Sequence, residues 1–122
     1  MDAIGRLSLV ALDCPEPRAL AEFYSALLGW PVDPESGDGW VQLVADSDVT
    51  LAFQRVEGYR EPEWPGQEHP QQLHLDIDVP DLDAGEERVI AIGARKHGVQ
   101  PKPESFRVYV DPAGHPFCLV RA

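Results

Sequence analysis

Cysteine is scarce in this chain. Two residues in 122, Cys14 and Cys118, are too few for a disulfide framework, and that scarcity points to the cytoplasm. Long apolar runs are also missing. None approaches the roughly 20 residues that span a bilayer. The opening Met1-Asp2-Ala3 lacks the basic and apolar blocks of a signal peptide. Basic residues are few: 10 Lys and Arg stand against 21 Asp and Glu, a formal net charge of -11. So acidic a chain repels phosphate backbones and anionic lipid, which argues against nucleic acid and membrane surfaces as partners. What is present is ordinary for a globular protein, with 43% apolar and 25% charged residues. Residues 1–122 suffice for one domain with its own core.

Read in order, the chain alternates strands and helices. Leu7 to Asp13 is a strand, with Val10 and Leu12 on one face and Leu9 and Ala11 on the other. Pro17 suits the first position of a helix whose Leu20, Phe23, Tyr24, Leu27 and Leu28 share one side. Gly29 ends it. Trp30 to Val32 is a short strand, and Trp40 to Ala45 with Val49 to Val56 form a hairpin. Residues 57–71 hold Pro62, Pro65 and Pro70, with Tyr59, Trp64 and His69 between them. Proline this dense excludes helix and interior strand, so the segment is a long aromatic loop. Gln72 to Val79 alternates cleanly, with Leu73, Leu75, Ile77 and Val79 opposite His74, Asp76 and Asp78. Asp81 caps a helix that runs to Ile92 and stops at Gly93. Lys96 to Val99, Phe106 to Val110 and Pro116 to Val120 are three closing strands, the last two joined by a turn at Asp111-Pro112-Ala113-Gly114.

That order contains a repeat. Leu12-Asp13-Cys14-Pro15-Glu16 parallels Ile77-Asp78-Val79-Pro80-Asp81 at an offset of about 65 residues. Each stretch ends a strand and opens a helix, each helix stops at a glycine, and three short strands follow. The expected fold is α+β: two tandem βαβββ modules forming a cupped, eight-stranded mixed sheet with the helices outside. Module one covers about residues 5–56 and module two about 72–122, with the loop 57–71 between them. The repeat matches Leu9 with His74 and Gln54 with Cys118. These four side chains are expected to converge in the cavity of the cup and to contact a ligand.

The residues carry different chemistry. His74 suits a ligand contact, a metal or an acid–base role; the structural alternative is a hydrogen bond to Asp76 or a neighbouring strand. As a base oriented by Asp76 it would have to reach about 7 Å along the strand. Cys118 lies between Phe117 and Leu119, where a free cysteine is often a small core residue. It is also a candidate nucleophile, should His74 lie near enough to serve as its base. His74 and Cys118 alone are two donors, too few for a zinc site. Gln54 offers hydrogen bonds to a ligand. Trp40, Trp64 and Phe106 are candidate apolar walls. Trp64 has no periodic face to join, so it caps the cavity or packs across a dimer contact. Arg55 and Arg107 read as surface ion-pair residues.

Taken together, several segments resemble one known group. They are Asp13-Cys14-Pro15-Glu16-Pro17 with Ala21-Glu22-Phe23-Tyr24 and Leu28-Gly29-Trp30, then Leu51-Ala52-Phe53-Gln54-Arg55-Val56. They continue with Pro70-Gln71-Gln72-Leu73-His74-Leu75-Asp76 and Asp111-Pro112-Ala113-Gly114-His115-Pro116-Phe117-Cys118. The chain resembles the vicinal-oxygen-chelate superfamily of glyoxalase I, bleomycin and fosfomycin resistance proteins and extradiol dioxygenases. Within it, the chain is most like the small glyoxalase-like domain proteins. The resemblance implies paired βαβββ modules around a cup, and in metal-dependent members an ion held by His, Glu or Gln on the first, fourth, fifth and eighth strands. Those positions fall here on Leu9, Gln54 (or Ala52, one pleat away), His74 and Cys118. Leu9 cannot ligate, and Cys118 stands where Glu is usual, so neither a metal nor any other cofactor is expected. Relatives of this size commonly dimerise, so a homodimer is expected.

The functional expectation is a glyoxalase-like protein that binds a small molecule, or an enzyme of unassigned activity, with His74 the foremost catalytic candidate. A divalent-metal lyase, isomerase or dioxygenase is one alternative, and an antibiotic-sequestering resistance protein another. A metal-free enzyme with His74 as general base is a further reading.

Overall fold

The computed structural model describes residues 3–122, which form two helices and seven strands in two mixed sheets. The chain divides into two compact units, one ending at Tyr59 and the other spanning Arg60–Ala122.

The first unit is built on Tyr24 and Phe53, both fully buried and stacked with ring centroids 5.6 Å apart. Strand β1 (Leu9–Cys14) runs parallel to β3 (Thr50–Arg55), and β2 (Trp40–Gln42) pairs antiparallel with β3 on its other side. Helix α1 (Pro17–Leu28) begins at proline, where a missing N–H costs nothing, and buries Leu20, Phe23 and Tyr24. It ends at Gly29, whose φ of 73° is the left-handed conformation that favours glycine.

The second unit repeats the plan. Strand β4 (Leu75–Val79) runs parallel to β7 (Pro116–Arg121), followed across the sheet by β6 (Phe106–Val110) and β5 (Arg95–Lys96). Helix α2 (Leu82–Ala91) is capped by Asp81, whose carboxylate accepts the Ala84 N–H at 3.0 Å. Val108, Tyr109, Phe117 and Leu119 form its core, with the Tyr109 and Phe117 rings stacked at 5.6 Å. The turn at Asp111–Gly114 is held from inside. Buried Asp111 accepts the N–H groups of Ala113 and His115 at 2.9 and 3.0 Å.

The two-module order is as the sequence implies, but the strand count is not. Eight strands are expected and seven are found. The missing one, at Trp30 to Val32, is reduced to a single bridge between Val32 and Leu43. Pro31 and Pro34 flank that bridge. Neither has an N–H to extend a ladder, so pairing stops after one residue.

Two other strands are shorter than their patterns. β4 starts at Leu75 rather than Gln72, which leaves Leu73 51% exposed and His74 ahead of the strand. β5 stops at Lys96 rather than Val99. There the Gln100 side chain replaces a strand, donating to the Val108 carbonyl at 2.7 Å and accepting its N–H at 2.9 Å. Pro101 and Pro103 follow, and they could not have continued the ladder.

Candidate functional site

The second unit contains an apolar pocket of about 190 Å3, lined by Trp64, Gln71, His74, Pro101, Phe106, Val108, Pro116 and Cys118. Each element places its residues there for a local reason. Strands β6 and β7 pair Val108 with Cys118, so both side chains point to the same face of the sheet. Phe106 lies two residues from Val108 on that face. Gln100 anchors the segment that carries Pro101. The aromatic loop supplies Trp64, whose ring meets His97 edge-on at 5.1 Å.

The polar atoms are few and specific. His74 Nε2 lies 3.2 Å from Asp76 Oδ1. The roughly 7 Å between their backbones along an ideal strand does not keep them apart. His74 precedes β4, and its side chain reaches the Asp76 carboxylate two residues on. Asp76 also faces the Cys118 partner position across the parallel ladder. Donor atoms of His74, Asp76 and Cys118 all lie within 4.8 Å of one another. Burial, then the charge of Asp76 and a hydrogen bond to it, push the Cys118 thiol up to about 11. At neutral pH the sulfur is therefore protonated and poorly nucleophilic. The remaining polar group is the Gln71 amide, whose Oε1 is buried without a hydrogen-bond partner.

Sequence reasoning named Leu9, Trp40, Trp64, Gln54, Phe106, His74 and Cys118. The structure brings Trp64, Phe106, His74 and Cys118 together around the pocket. Leu9, Trp40 and Gln54 belong to the unit that ends at Tyr59 and do not line it. Trp40 is 40% exposed and donates to Gln42 Oε1 at 3.3 Å. Gln54 has an exposed side chain, while its carbonyl accepts the thiol of buried Cys14 at 3.6 Å.

The ladders also change one pairing in the repeat. Asp76 pairs with Cys118, and its counterpart Ala11 pairs with Ala52. The equivalent of Cys118 in module one is thus Ala52, fully buried, rather than Gln54. Gln71, Pro101, Val108 and Pro116 were missed as lining residues. Val108 shares the face of Phe106 on β6, a period-2 signal that could have found it. Nothing in strand periodicity marks the other three, because Gln71 and Pro101 are on loops and Pro116 only opens a strand.

Arg107 forms ion pairs as expected, but with a largely buried side chain rather than at the surface. It sits 2.8 Å from Asp83 and 3.5 Å from Glu86. Glu86 is in turn bound by Lys96 at 3.0 Å and accepts the Tyr109 hydroxyl at 2.8 Å.

Known structures share the whole fold. A glyoxalase/bleomycin resistance protein/dioxygenase family enzyme from Burkholderia phytofirmans matches at a TM-score of 0.74 and 18% identity, over 96% of this chain and 98% of that one. A fosfomycin resistance protein from Mesorhizobium loti matches at 0.70 and 16%, over 98% and 94%. An antibiotic binding protein from a Streptomyces species matches at 0.62 and 21%, over 99% and 98%. No curated protein sequence matches the chain. No helix among the described residues is long and apolar enough to cross a membrane. The model of the glyoxalase-like domain matches residues 9–120, so with its tandem modules in place the chain belongs to the glyoxalase-like domain family.

Proposed function

We propose that the protein binds a small molecule in the pocket of its second unit, with Trp64 and Phe106 as apolar walls and His74 and Cys118 as polar anchors. The observation that carries this reading is the pocket itself, which combines an aromatic lining with a few convergent polar groups. Fold neighbours that bind an antibiotic or confer fosfomycin resistance support sequestration as one use of such a site. The expected setting is a cytoplasmic homodimer, which sedimentation velocity tests. A thermal-shift screen of small metabolites and antibiotics tests binding, because a ligand that prefers the folded state raises the melting temperature by mass action. A hit whose shift persists in full in His74→Ala and Trp64→Ala would place the ligand elsewhere and refute the proposal.

A second reading is favoured by one observation: the convergence of an imidazole, a carboxylate and a thiol within 4.8 Å. Nitrogen, oxygen and sulfur donors suit a borderline ion such as zinc better than magnesium or calcium. His74, Asp76 and Cys118 would hold it, and three protein ligands leave a position open. Bound there, the ion would act as a Lewis acid toward a substrate oxygen. The fit has a cost, since Cys118 must lose a proton that its surroundings hold tightly. Zinc titration in weak buffer tests this. Stoichiometric binding with proton release, lost in Cys118→Ser, supports the site; no binding at millimolar zinc rejects it.

A further inference from the structure

The pocket's lining restricts what it can hold. Its volume is about 190 Å3. An apolar cavity of about 150 Å3 takes up benzene, so this one accommodates one aromatic ring or a fused pair. Trp64 and Phe106 offer ring surfaces, and Pro101 and Pro116 offer flat aliphatic ones. No Lys or Arg lines it. Asp76 stands beside both His74 and Cys118, so negative charge already occupies the polar end. A carboxylate or phosphate entering here would lose its water without gaining a fixed cation.

One polar atom is left over. Gln71 Oε1 is buried and accepts no hydrogen bond. Buried acceptors are nearly always paired, and an unpaired one is costly. Oε1 is closed to a water-sized atom while the pocket is empty, so a ligand N–H or O–H satisfies it once the amide turns toward the cavity that Gln71 lines.

Resting on the binding role proposed above, we infer that the pocket takes a neutral aromatic molecule of one or two rings that donates a hydrogen bond to Gln71 Oε1. The ring lies among Trp64, Phe106 and the two prolines, and the donor points to the amide. Gln71 thereby sets specificity: it selects for a donor rather than for ring size.

Isothermal titration of the full chain with three probes tests this. Indole carries the donor. Benzofuran has nearly the same shape, with ring oxygen in place of N–H. Benzoate carries a charge. The expected order is indole about tenfold tighter than benzofuran, with benzoate weakest. Gln71→Met should bring indole down to the affinity of benzofuran and leave benzofuran unchanged. Equal binding of indole and benzofuran by the wild-type protein, or tighter binding of benzoate, overturns the inference while leaving the pocket as a binding site. If none of the three binds, the inference falls, and the thermal-shift screen decides the pocket proposal separately. The wild-type comparison decides even if Gln71→Met does not fold.

Discussion

Cys118 offers the sharpest physical test of the site. Its thiol is pushed up to about 11, chiefly by burial and secondarily by Asp76. An ordinary cysteine titrates near 8.5. At pH 8 that ordinary thiol would be about one quarter thiolate, whereas a thiol at 11 would be about one part in a thousand. The expected deficit in thiolate is therefore about two orders of magnitude. The assay is ultraviolet thiolate absorbance against pH, taken as the difference between Cys14→Ser and Cys14→Ser/Cys118→Ser, which cancels the three tyrosines and reads position 118 alone. Absorbance is preferable to alkylation, because Cys118 is only 6% exposed and slow access would mimic low reactivity. Asp76→Asn should lower the midpoint without restoring the ordinary value, since burial is the largest single cause and remains. An inflection below about 9 in the parent would refute the account. An unchanged midpoint in Asp76→Asn would refute the part assigned to Asp76. The sign for stability follows. A thiol that is held protonated by folding binds more protons in the folded state than in the unfolded state between about 8.5 and 11. Stability from this group is thus fully present below about 8.5 and is lost as pH rises toward 11.

Other perturbations have equally definite outcomes. A Cβ added at Gly114 would collide with the Glu61 side chain, its Cβ at 2.7 Å and Cδ at 2.9 Å, and φ there is 88°. Gly114→Ala should therefore cost about 1–3 kcal/mol in urea unfolding, and adding Glu61→Gly should restore only the steric part. Burial alone would raise the Glu86 carboxyl, but bonds from Lys96 and Tyr109 with the nearby charges of Lys96 and Arg107 hold it below its ordinary value. Its stabilising contribution is then complete above the ordinary carboxylate range and fades as pH falls below it, and Lys96→Met should flatten that acid limb of the stability profile. Tyr109→Phe removes one hydrogen bond to Glu86 while Lys96 remains, so a loss of about 0.5–1.5 kcal/mol is expected. Trp64→Ala should abolish or strongly weaken binding of any pocket ligand; unchanged affinity and unchanged self-association would refute the role given to the loop.

Much of the fold was legible because its signals are local. The spacing of Leu20, Phe23 and Tyr24 marks α1, and Pro17 and Gly29 mark its ends almost to the residue. Phe106–Val110 is a strand with the bounds the sequence implies. What escaped was set by partners distant in sequence. Periodicity starts β4 at Gln72, yet the strand forms only where β7 lies beside it, from Leu75 opposite Phe117. Alternation describes which side a residue faces but not whether a neighbour pairs with it. Because His74 is thereby freed from the strand, its contact with Asp76 could not be read from ideal strand spacing.

Register explains the asymmetry of the repeat more fully than residue matching does. Where module two has Asp76 and Cys118, the ladders place Ala11 and Ala52 in module one, and the same offset matches His74 with Leu9. Gln54 seemed equivalent to Cys118 because both lie near the ends of their strands. It pairs with Asp13, one pleat beyond the Ala11–Ala52 rung. A displacement of two residues keeps a side chain on the same face, so period-2 reasoning cannot detect it; only hydrogen-bond pairing can. The corrected match leaves every polar position of this rung in one module. A ligand site needs only one set of anchors, whereas a buried donor without a partner is costly. Apolar Leu9 and Ala52 make no such demand, and the duplicated sequence has kept its chemistry on the rung between β4 and β7.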